Sequence, residues 1–554
     1  MNHRVRPVLA VAVLVLALGL SLPPALAQQS RDTLVMGMAQ EPDGLLMTFH
    51  SMAAGRAVNN SLYVGMVEFN DQWKLYPRTV EKIPTLKDGD WQLLPGGKMK
   101  VTWKFRRDYT WHDGRPYTAL DASWTYLMLR NPRSPTVSRN LLRKIDNMTV
   151  PDPQNPYTLI VQWNESYPFA HAYPEWVYPR HLMEKEYLRD PASLKAHRMN
   201  RMPILNGPYK MIEWSAGSHM TLEAYEKFPG GAPKIKRQTW RFILDSTVLQ
   251  ANAIANQVQV TEVNNINDCA AIAEIEKRNA QVQGNYTPAL IWEHLDVNLD
   301  NEWLKDKRVR QAIAHALDRA ALAELACSGG RQPVAHTWLP ERHEGYNANV
   351  KKYNFDQARA RALLQEAGFT PGPDGFLRDR AGRRFEITIM TTAGNALREQ
   401  VQQVMKEQLK TVGIDLRIDN RPASVLFGQV TNRRQFPHLV MYAWLQTPLS
   451  LGNTLWKSEQ IPTPANNWEG QNYPGWRNTE NDQLLQQIEN EIDVTKRIDL
   501  LKKQQAIWAE ELPSIPLYFR LHLTTSSKRL TNVKPSGLAG TYINWNSHDW
   551  NWSQ

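Results

Sequence analysis

Amphipathic helix patterns alternate with short apolar strand patterns through the second half of this chain, and this alternation limits the possible folds more than any other feature. Residues 306–326 predict one helix, with Val309 and Ile313 on its apolar face. Residues 385–391 and 439–444 predict strands, the second of them buried. Since a chain of 554 residues is too long for one hydrophobic core, we expect two to four domains, of which the second half forms an α/β unit.

The first half of the chain has a different secondary-structure pattern. KMKVTWKF, residues 98–105, alternates strictly and places its four odd-numbered apolar residues on one face of a half-buried strand. Thr118 and Asp121 predict the cap of a helix over residues 119–130. We therefore interpret residues 73–200 as a separate, more β-rich insertion.

Other elements are predicted from the same periodicities and from turn signals. They are strands at 32–38, 157–163, 414–418 and 515–519, a hairpin of 209–214 and 220–224, and helices at 355–368, 396–412 and 478–511 (one or two).

The N-terminus predicts export. Arg4 and Arg6 precede an apolar run over residues 8–22, which ends at an A-x-A pattern, Ala25 to Ala27. This is the pattern of a secretory signal peptide, residues 1–27, cleaved after Ala27. The run is shorter than the roughly 20 residues needed to span a bilayer. No cysteine lies near the cleavage site, so we expect a periplasmic protein without a lipid anchor.

Charge and cysteine content exclude several classes of protein. The formal charge of +10 is scattered along the chain, so it indicates no nucleic-acid surface. Two cysteines are too few for a disulfide-dense scaffold, a zinc-ribbon array or an iron–sulfur protein. An oxidising compartment permits a Cys269–Cys327 disulfide, and two buried free thiols are the alternative.

Catalytic motifs are missing from the sequence. It contains no G-x-S-x-G, and His343-Glu344 lacks the second histidine of H-E-x-x-H. Gly97-Lys98 is interpreted as a turn entering a strand, and His438 as a core or cleft residue. We expect no catalytic residues, no metal site and no cofactor.

Five separated segments carry a resemblance to a known family. They are residues 103–126, 206–214, 225–235, 295–319 (with KDKRVRQAIAHALDR) and 353–368 (YNFDQARARALLQEAG). In this order they resemble extracellular solute-binding protein family 5, the oligopeptide, dipeptide and nickel receptors of ABC importers.

The resemblance implies an α/β fold, a periplasmic binding protein of type II with two lobes joined by a hinge and an extra third domain. The polar ligand, oligopeptide-like or oligosaccharide-like, would be captured between the closing lobes and delivered to a membrane ABC permease and ATPase complex by a monomer. Arg308 and Arg310 of the RVRQA segment would stabilise the fold rather than bind the ligand. The implied bounds are 28–72, 201–295 and 512–554 for lobe one, 73–200 for the extra domain and 296–511 for lobe two, with the hinge near 295 and 511.

One departure from the family pattern concerns the ligand. Peptide-binding members hold the ligand's α-amino group with an Asp shortly after a Trp that corresponds to Trp444. Here Gln446 and Thr447 stand in that stretch, and no Asp follows before Asp482. A desolvated ammonium without a carboxylate is costly, so these neutral groups favour an uncharged polar ligand.

Tryptophans and amides cluster around that stretch, and such groups suit flat polar molecules and sugar rings. The alternative is that these tryptophans pack the core of lobe two. The predicted ligand-binding residues are Trp444, Gln446, Thr447, Trp468, Asn466, Tyr63, Asn60 and Trp292.

Two other hypotheses remain open from the sequence. One is an exported hydrolase with an unrecognised carboxylate pair, which would turn its substrate over. The other is a receptor domain used in signalling or as a chaperone, in which a sensor replaces the permease.

Overall fold

The computed structural model describes residues 32–50, 52–262, 269–466, 468–538 and 541–553. One large mixed sheet of ten strands organises these residues, and helices pack on it. The predicted signal peptide, residues 1–27, lies outside the described residues. Within the described ranges, no helix combines the length and the apolar character needed to cross a bilayer.

The strands, numbered in chain order, are β1 (Thr33–Met38), β2 (Val67–Phe69), β3 (Leu75–Pro77), β4 (Trp91–Leu93), β5 (Met99–Lys104), β6 (Ile145–Thr149), β7 (Thr158–Trp163), β8 (Tyr209–Ser215), β9 (His219–Ala224), β10 (Arg237–Phe242), β11 (Val260–Thr261), β12 (Val282–Val297), β13 (Thr370–Pro371), β14 (Leu377–Arg378), β15 (Glu386–Met390), β16 (Asp415–Ile418), β17 (Leu439–Leu445), β18 (Ser514–Ser527), β19 (Leu530–Thr531) and β20 (Asn551–Trp552).

The α-helices are α1 (Ala53–Leu62), α2 (Ala119–Arg130), α3 (Asn140–Arg143), α4 (Arg180–Arg189), α5 (Ser246–Ile254), α6 (Cys269–Arg278), α7 (Lys307–Ala316), α8 (Arg319–Ala326), α9 (Gln357–Glu366), α10 (Ala396–Lys410), α11 (Ala423–Val425), α12 (Asn453–Trp456), α13 (Thr479–Asn490) and α14 (Val494–Glu511).

The large sheet has the order β16-β15-β17-β12-β18-β11-β1-β10-β9-β8. Parallel pairs lie toward both ends, β15 with β16 and β17, and β1 with β10 and β11. The central strands β17, β12, β18 and β11 pair antiparallel. The predicted strands at 32–38, 385–391 and 439–444 and the predicted 209–224 hairpin are confirmed.

Two long strands join the two ends of this sheet. β12 and β18 pair along most of their length, from Val282↔Ser527 to Asp296↔Ser514. Their register shifts between Pro288 and Trp292, where the ladder is interrupted. The sequence predicted only the first part of β18, residues 515–519. The strand continues because its second half finds partners in β11 and in the N-terminal half of β12, which lie far away in sequence.

A separate antiparallel sheet of order β4-β5-β7-β6 lies within residues 91–163. In β5 the predicted face is confirmed, since Met99, Val101 and Trp103 are fully buried. The predicted cap of α2 is also confirmed: Thr118 and Asp121 form a capping box at the first residues of the helix.

The predicted single helix over residues 306–326 is wrong, because the structure has two helices there. Leu317 is extended (φ −96°, ψ 119°), and the side chain of Asp318 accepts a hydrogen bond from the backbone N–H of Ala321. Asp318 therefore caps a new helix, α8, rather than continuing α7. The predictions for α9 and α10 are confirmed, and Gly368 (φ 97°) follows α9 as predicted.

The arginines of the RVRQA segment hold the fold, as expected. Arg308 pairs with Asp306 on the surface at 2.7 Å. Arg310 is only 3% exposed and donates to the carbonyl oxygens of Leu304 (2.8 Å) and Leu512 (3.0 Å), so its charge anchors the end of α14.

Cys269 and Cys327 form a disulfide, which settles the question left open by the sequence. Cys269 begins α6, and Cys327 follows α8. Both are buried in one apolar cluster with Leu249 and Ile272.

Candidate functional site

The cavity that contains three of the predicted ligand-binding residues, called the main cavity below, lies where four distant parts of the chain meet. Its volume is about 380 Å³. Its walls come from α1 and the residues after it, from residues 141–176, from the loop 447–449, and from Leu538, Thr541 and Trp545 near the C-terminal end. Of the predicted ligand-binding residues, Asn60, Tyr63 and Thr447 line this cavity.

Stacked aromatic rings form one wall of the main cavity. The ring of Tyr63 lies 4.7 Å from that of Trp176, with an angle of 28° between them. The Tyr63 hydroxyl donates to the carbonyl of Glu175 (3.1 Å) and accepts from the N–H of Val177 (2.8 Å). Burial raises the pKa of Tyr63 far above its usual value. This tyrosine therefore positions the half-buried Trp176, whose indole also lines the cavity.

The charged side chains of the main cavity are already paired. Arg56 contacts Glu175 at 3.1 Å, and Glu68 contacts Arg78 at 3.2 Å. Burial raises the pKa of Glu68, and the attraction of Arg78 opposes that shift. A ligand of no net charge meets no unpaired partner among these four groups, whereas a singly charged ligand would have to displace one of them.

The loop after β17 closes the cavity from the other side. The backbone N–H of Thr447 donates to Ser450 Oγ (2.9 Å), and Thr447 Oγ1 accepts from the N–H of Leu449 (3.2 Å). His343 Nε2 lies 3.2 Å from the carbonyl oxygen of Pro448. Thr447 thus builds the turn that places Pro448 and Leu449 against the cavity.

A second, smaller cavity of about 210 Å³ lies beside this loop and shares Leu449 with the main one. Trp444 and Gln446, two more of the predicted residues, line it together with Trp338 and Gln471. Trp444 is half-buried and stacks on Tyr473, with ring centres 5.8 Å apart.

Trp292 is a core residue, which contradicts its expected contact with a ligand. It is fully buried, stacks on His294 (4.1 Å) and packs against Trp456 and Trp508. The side chain points from β12 into the apolar cluster of the second half of the chain, so a ligand in either cavity does not reach it.

Asn466 and Trp468 line neither of these two cavities, contrary to expectation. Asn466 Oδ1 accepts from the N–H of Thr463 (2.8 Å), and its Nδ2 donates to the carbonyl of Ile461 (2.9 Å). Trp468 has a positive φ of 62° and donates its backbone N–H to Thr463. Both residues therefore shape the 461–468 loop, because its backbone groups are their nearest partners.

Several cavity residues escaped the sequence analysis because they lie in segments taken for structural support. Tyr167, Phe169 and Trp176 come from the β-rich insertion, and Trp545 comes from the C-terminal end. Phe169 also reaches Arg497 of α14, whose guanidinium carbon lies 5.1 Å from the ring centre. The sequence contains 20 tryptophans against 13 phenylalanines, which was the available signal, but this count did not indicate which tryptophans would lie together.

Among the residues that the structure describes, no group of three or more His, Cys, Asp or Glu side chains is arranged to hold a metal ion. Burial lowers the pKa of His438 to about 4, and this imidazole accepts from the N–H of Thr388 at 3.1 Å beside Trp303. His438 is half-buried and holds a backbone N–H of the neighbouring strand, in agreement with its interpretation as a core or cleft residue.

Comparison with known proteins identifies relatives of this chain. The profile described as "Bacterial extracellular solute-binding proteins, family 5 Middle" matches residues 84–459. The oligopeptide-binding protein AppA of Bacillus subtilis is 27% identical over 506 residues, which cover 89% of this chain and 87% of that protein. The glutathione-binding protein GsiB of Shigella flexneri is 23% identical, covering 86% and 87%.

The chain is also similar to a solved structure. The oligopeptide-binding protein of Thermus thermophilus, in complex with a pentapeptide, is 30% identical, with a TM-score of 0.69, and the match covers 94% of this chain and 96% of that one. The expected α/β fold with two lobes is confirmed.

Proposed function

The chain belongs to family 5 of the bacterial extracellular solute-binding proteins, the receptors that capture solutes for ABC importers, and we propose that it binds an oligopeptide-like solute of no net charge in the main cavity. The observation that carries the proposal is the 380 Å³ cavity with its stacked aromatic wall and fully paired charges. This volume falls in the range of about 300–1,000 Å³ that is usual for small-molecule sites.

The peptide class comes from the relatives, which are named for oligopeptides and for glutathione. The preference for a neutral ligand comes from this chain. Thr447, rather than a carboxylate, faces the cavity from the loop after β17, and it offers a hydrogen bond without charge to the group placed there.

We propose that the hinge lies at the register shift of β12 and β18, near residues 289–291 and Arg520, rather than at the crossings near 295 and 511 implied by the sequence, since the ladder is interrupted at this shift. Rotation at this point would separate the loop 447–449 from α1 and open the cavity. The lobe and domain bounds given above, the monomeric state, periplasmic location after cleavage at Ala27, and binding without turnover remain predictions.

Native mass spectrometry of the purified protein tests the proposal, followed by identification of the released ligand. We expect one peptide-like molecule per chain, released chemically unchanged. A sugar would overturn the peptide assignment, and a truncated peptide product that accumulates with time would indicate a hydrolase.

A variant pair then locates the site. Trp176→Ala removes the stacking surface and should weaken binding by about tenfold or more, which corresponds to about 1.4 kcal/mol. Phe355→Ala removes an aromatic ring that is 48% exposed and lies outside both cavities, and it should bind as the unchanged protein does. Equal affinity of both variants would place the ligand elsewhere.

An oligosaccharide is the second candidate, and the aromatic wall favours it. The face of Trp176 offers a stacking surface for a sugar ring. Thr447 lines the same cavity, and its hydroxyl can pair with a sugar hydroxyl. The identity of the released molecule separates the two candidates.

A further inference from the structure

Gln446 is a buried amide without a partner. Its side chain is only 5% exposed, and no described residue lies within hydrogen-bonding distance and geometry of either Oε1 or Nε2. Its backbone is fixed, because the N–H donates to the carbonyl of Leu290 at 2.8 Å. A buried polar group left unpaired is costly, so this amide points to a group that arrives with the ligand.

The space around Gln446 has the size of one side chain. The 210 Å³ cavity that it lines equals the liquid volume of about seven water molecules. Trp338 and Trp444 provide indole surface around this space, and Leu449 is shared with the main cavity. Leu449 lies between the two cavities, so one flat group of a ligand held in the main cavity enters the smaller one when this side chain moves aside.

The chemistry of an amide selects its partner. Gln446 offers an acceptor and a donor side by side in one plane. A primary carboxamide presents the complementary donor and acceptor on one edge, and so forms two hydrogen bonds at once. A trans peptide bond has its N–H and C=O on opposite sides, a carboxylate offers no donor, and an alkyl group offers neither.

From this geometry we propose that the smaller cavity is a specificity subsite for a primary carboxamide of the ligand, which pairs with Gln446 beside Trp444. The inference rests on the proposed function, since it assigns part of the ligand of that receptor. The carboxamide can come from an Asn or Gln side chain, or from an amidated C-terminus.

The first test is a binding selection from a random pentapeptide library, prepared once with free and once with amidated C-termini. Bound peptides are identified by mass spectrometry. We expect Asn or Gln at one position to be enriched over Leu and Glu by about tenfold, the factor that corresponds to one unpaired buried polar group. Enrichment of amidated peptides instead would identify the C-terminus as the source.

Variants assign the preference to one residue. Gln446→Leu should abolish the enrichment and still bind peptides, whereas Gln365→Leu, on the exposed side of α9, should leave the enrichment unchanged. An unchanged preference in Gln446→Leu, or peptides bound by the unchanged protein without any amide preference, would overturn the subsite and leave the receptor function intact.

A second measurement does not depend on peptides. Saturation-transfer-difference NMR compares propionamide with propionate on the unchanged protein and on Gln446→Leu. We expect a signal for propionamide that the variant loses, and no such difference for propionate. If no peptide binds but this result is obtained, the peptide class is wrong and the subsite stands. Equal signals for both probes, or no effect of the variant, would overturn the subsite.

Discussion

Two buried polar side chains near the register shift of β12 differ in their pairing. Glu293 of β12 is fully buried and contacts Arg398 at 2.6 Å and Arg520 at 2.5 Å. Gln446, at the end of β17, is almost as buried and has no partner among the described residues. The charged carboxylate is thus fully paired, whereas the neutral amide has no hydrogen-bond partner among the described residues.

This difference in pairing distinguishes a side chain that stabilises the fold from one that we propose binds the ligand. Burial alone would raise the pKa of Glu293, but the attraction of Arg520 and Arg398 outweighs it and holds that pKa below its usual value. The carboxylate therefore stabilises the fold above its usual titration range, and this contribution is lost as the pH falls through its lowered pKa. The side-chain amide of Gln446 makes no hydrogen bond to a described residue, as the proposed pairing with a ligand requires.

The largest expected effect comes from breaking the paired site. Glu293→Leu leaves Arg398, which has a 9% exposed side chain, beside Arg520 without a counter-charge. The free energy of unfolding should fall by about 3–5 kcal/mol, measured by urea denaturation. A loss below about 1 kcal/mol is the range of a surface pair. It would mean that this ion cluster is solvated and that Glu293 does not differ from Gln446 in its contribution to stability.

A third buried group, His343, is paired only while it is neutral. Its Nδ1 accepts from the N–H of Gly345 (3.0 Å), and its Nε2 faces the carbonyl of Pro448 (3.2 Å). Burial lowers its pKa from 6.5 to about 4. Between these values the unfolded chain holds the proton and the folded chain does not, so stability falls on acidification, by roughly 3 kcal/mol for this residue between pH 7 and pH 4.

The measurement compares unfolding at pH 7 and at pH 4 for the unchanged protein and for His343→Gln, whose amide can make the same two hydrogen bonds. The variant should lose less stability on acidification. Other buried histidines titrate in both proteins and cancel in the difference. Identical pH profiles would show that His343 is accessible to protons in the folded state.

The third substitution is expected to increase the free energy of unfolding, whereas Glu293→Leu should decrease it. Gln446→Leu replaces an unpaired buried amide with an apolar group of similar size, and it should raise the free energy of unfolding of the ligand-free protein by about 1 kcal/mol. Thermal unfolding of stripped protein checks this. A loss of stability would mean that Gln446 is already satisfied, for instance by an ordered water, and would remove the contrast with Glu293.

The smallest effect is expected at the surface. Arg417 pairs with Glu386 at 2.5 Å, but their side chains are 66% and 32% exposed. Glu386→Ala should change the free energy of unfolding by no more than about 0.5 kcal/mol and leave ligand binding unchanged. A change comparable to that of Glu293→Leu would show that burial does not explain the difference between paired sites.

The sequence indicated the candidate site only in part. Five of the predicted ligand-binding residues line one of the two cavities: Tyr63, Asn60, Thr447, Trp444 and Gln446. The family pattern was enough to select Trp444 and the two residues that follow Leu445. The aromatic residues of the insertion were missed because Tyr167, Phe169 and Trp176 lie between β7 and α4, where no periodic pattern indicates which side chains are buried.

The sequence by itself determined the local elements and the family. Strict alternation fixed β5, a capping box fixed the start of α2, and the ordered motifs predicted the α/β receptor fold. These signals act over a few residues, where backbone geometry and capping are decided. Only the tertiary structure decided that Trp292 is core while Trp176 lines the cavity, and that Gln446 has no partner among the described residues. Burial and pairing depend on elements hundreds of residues apart in sequence, which only the assembled sheet brings together.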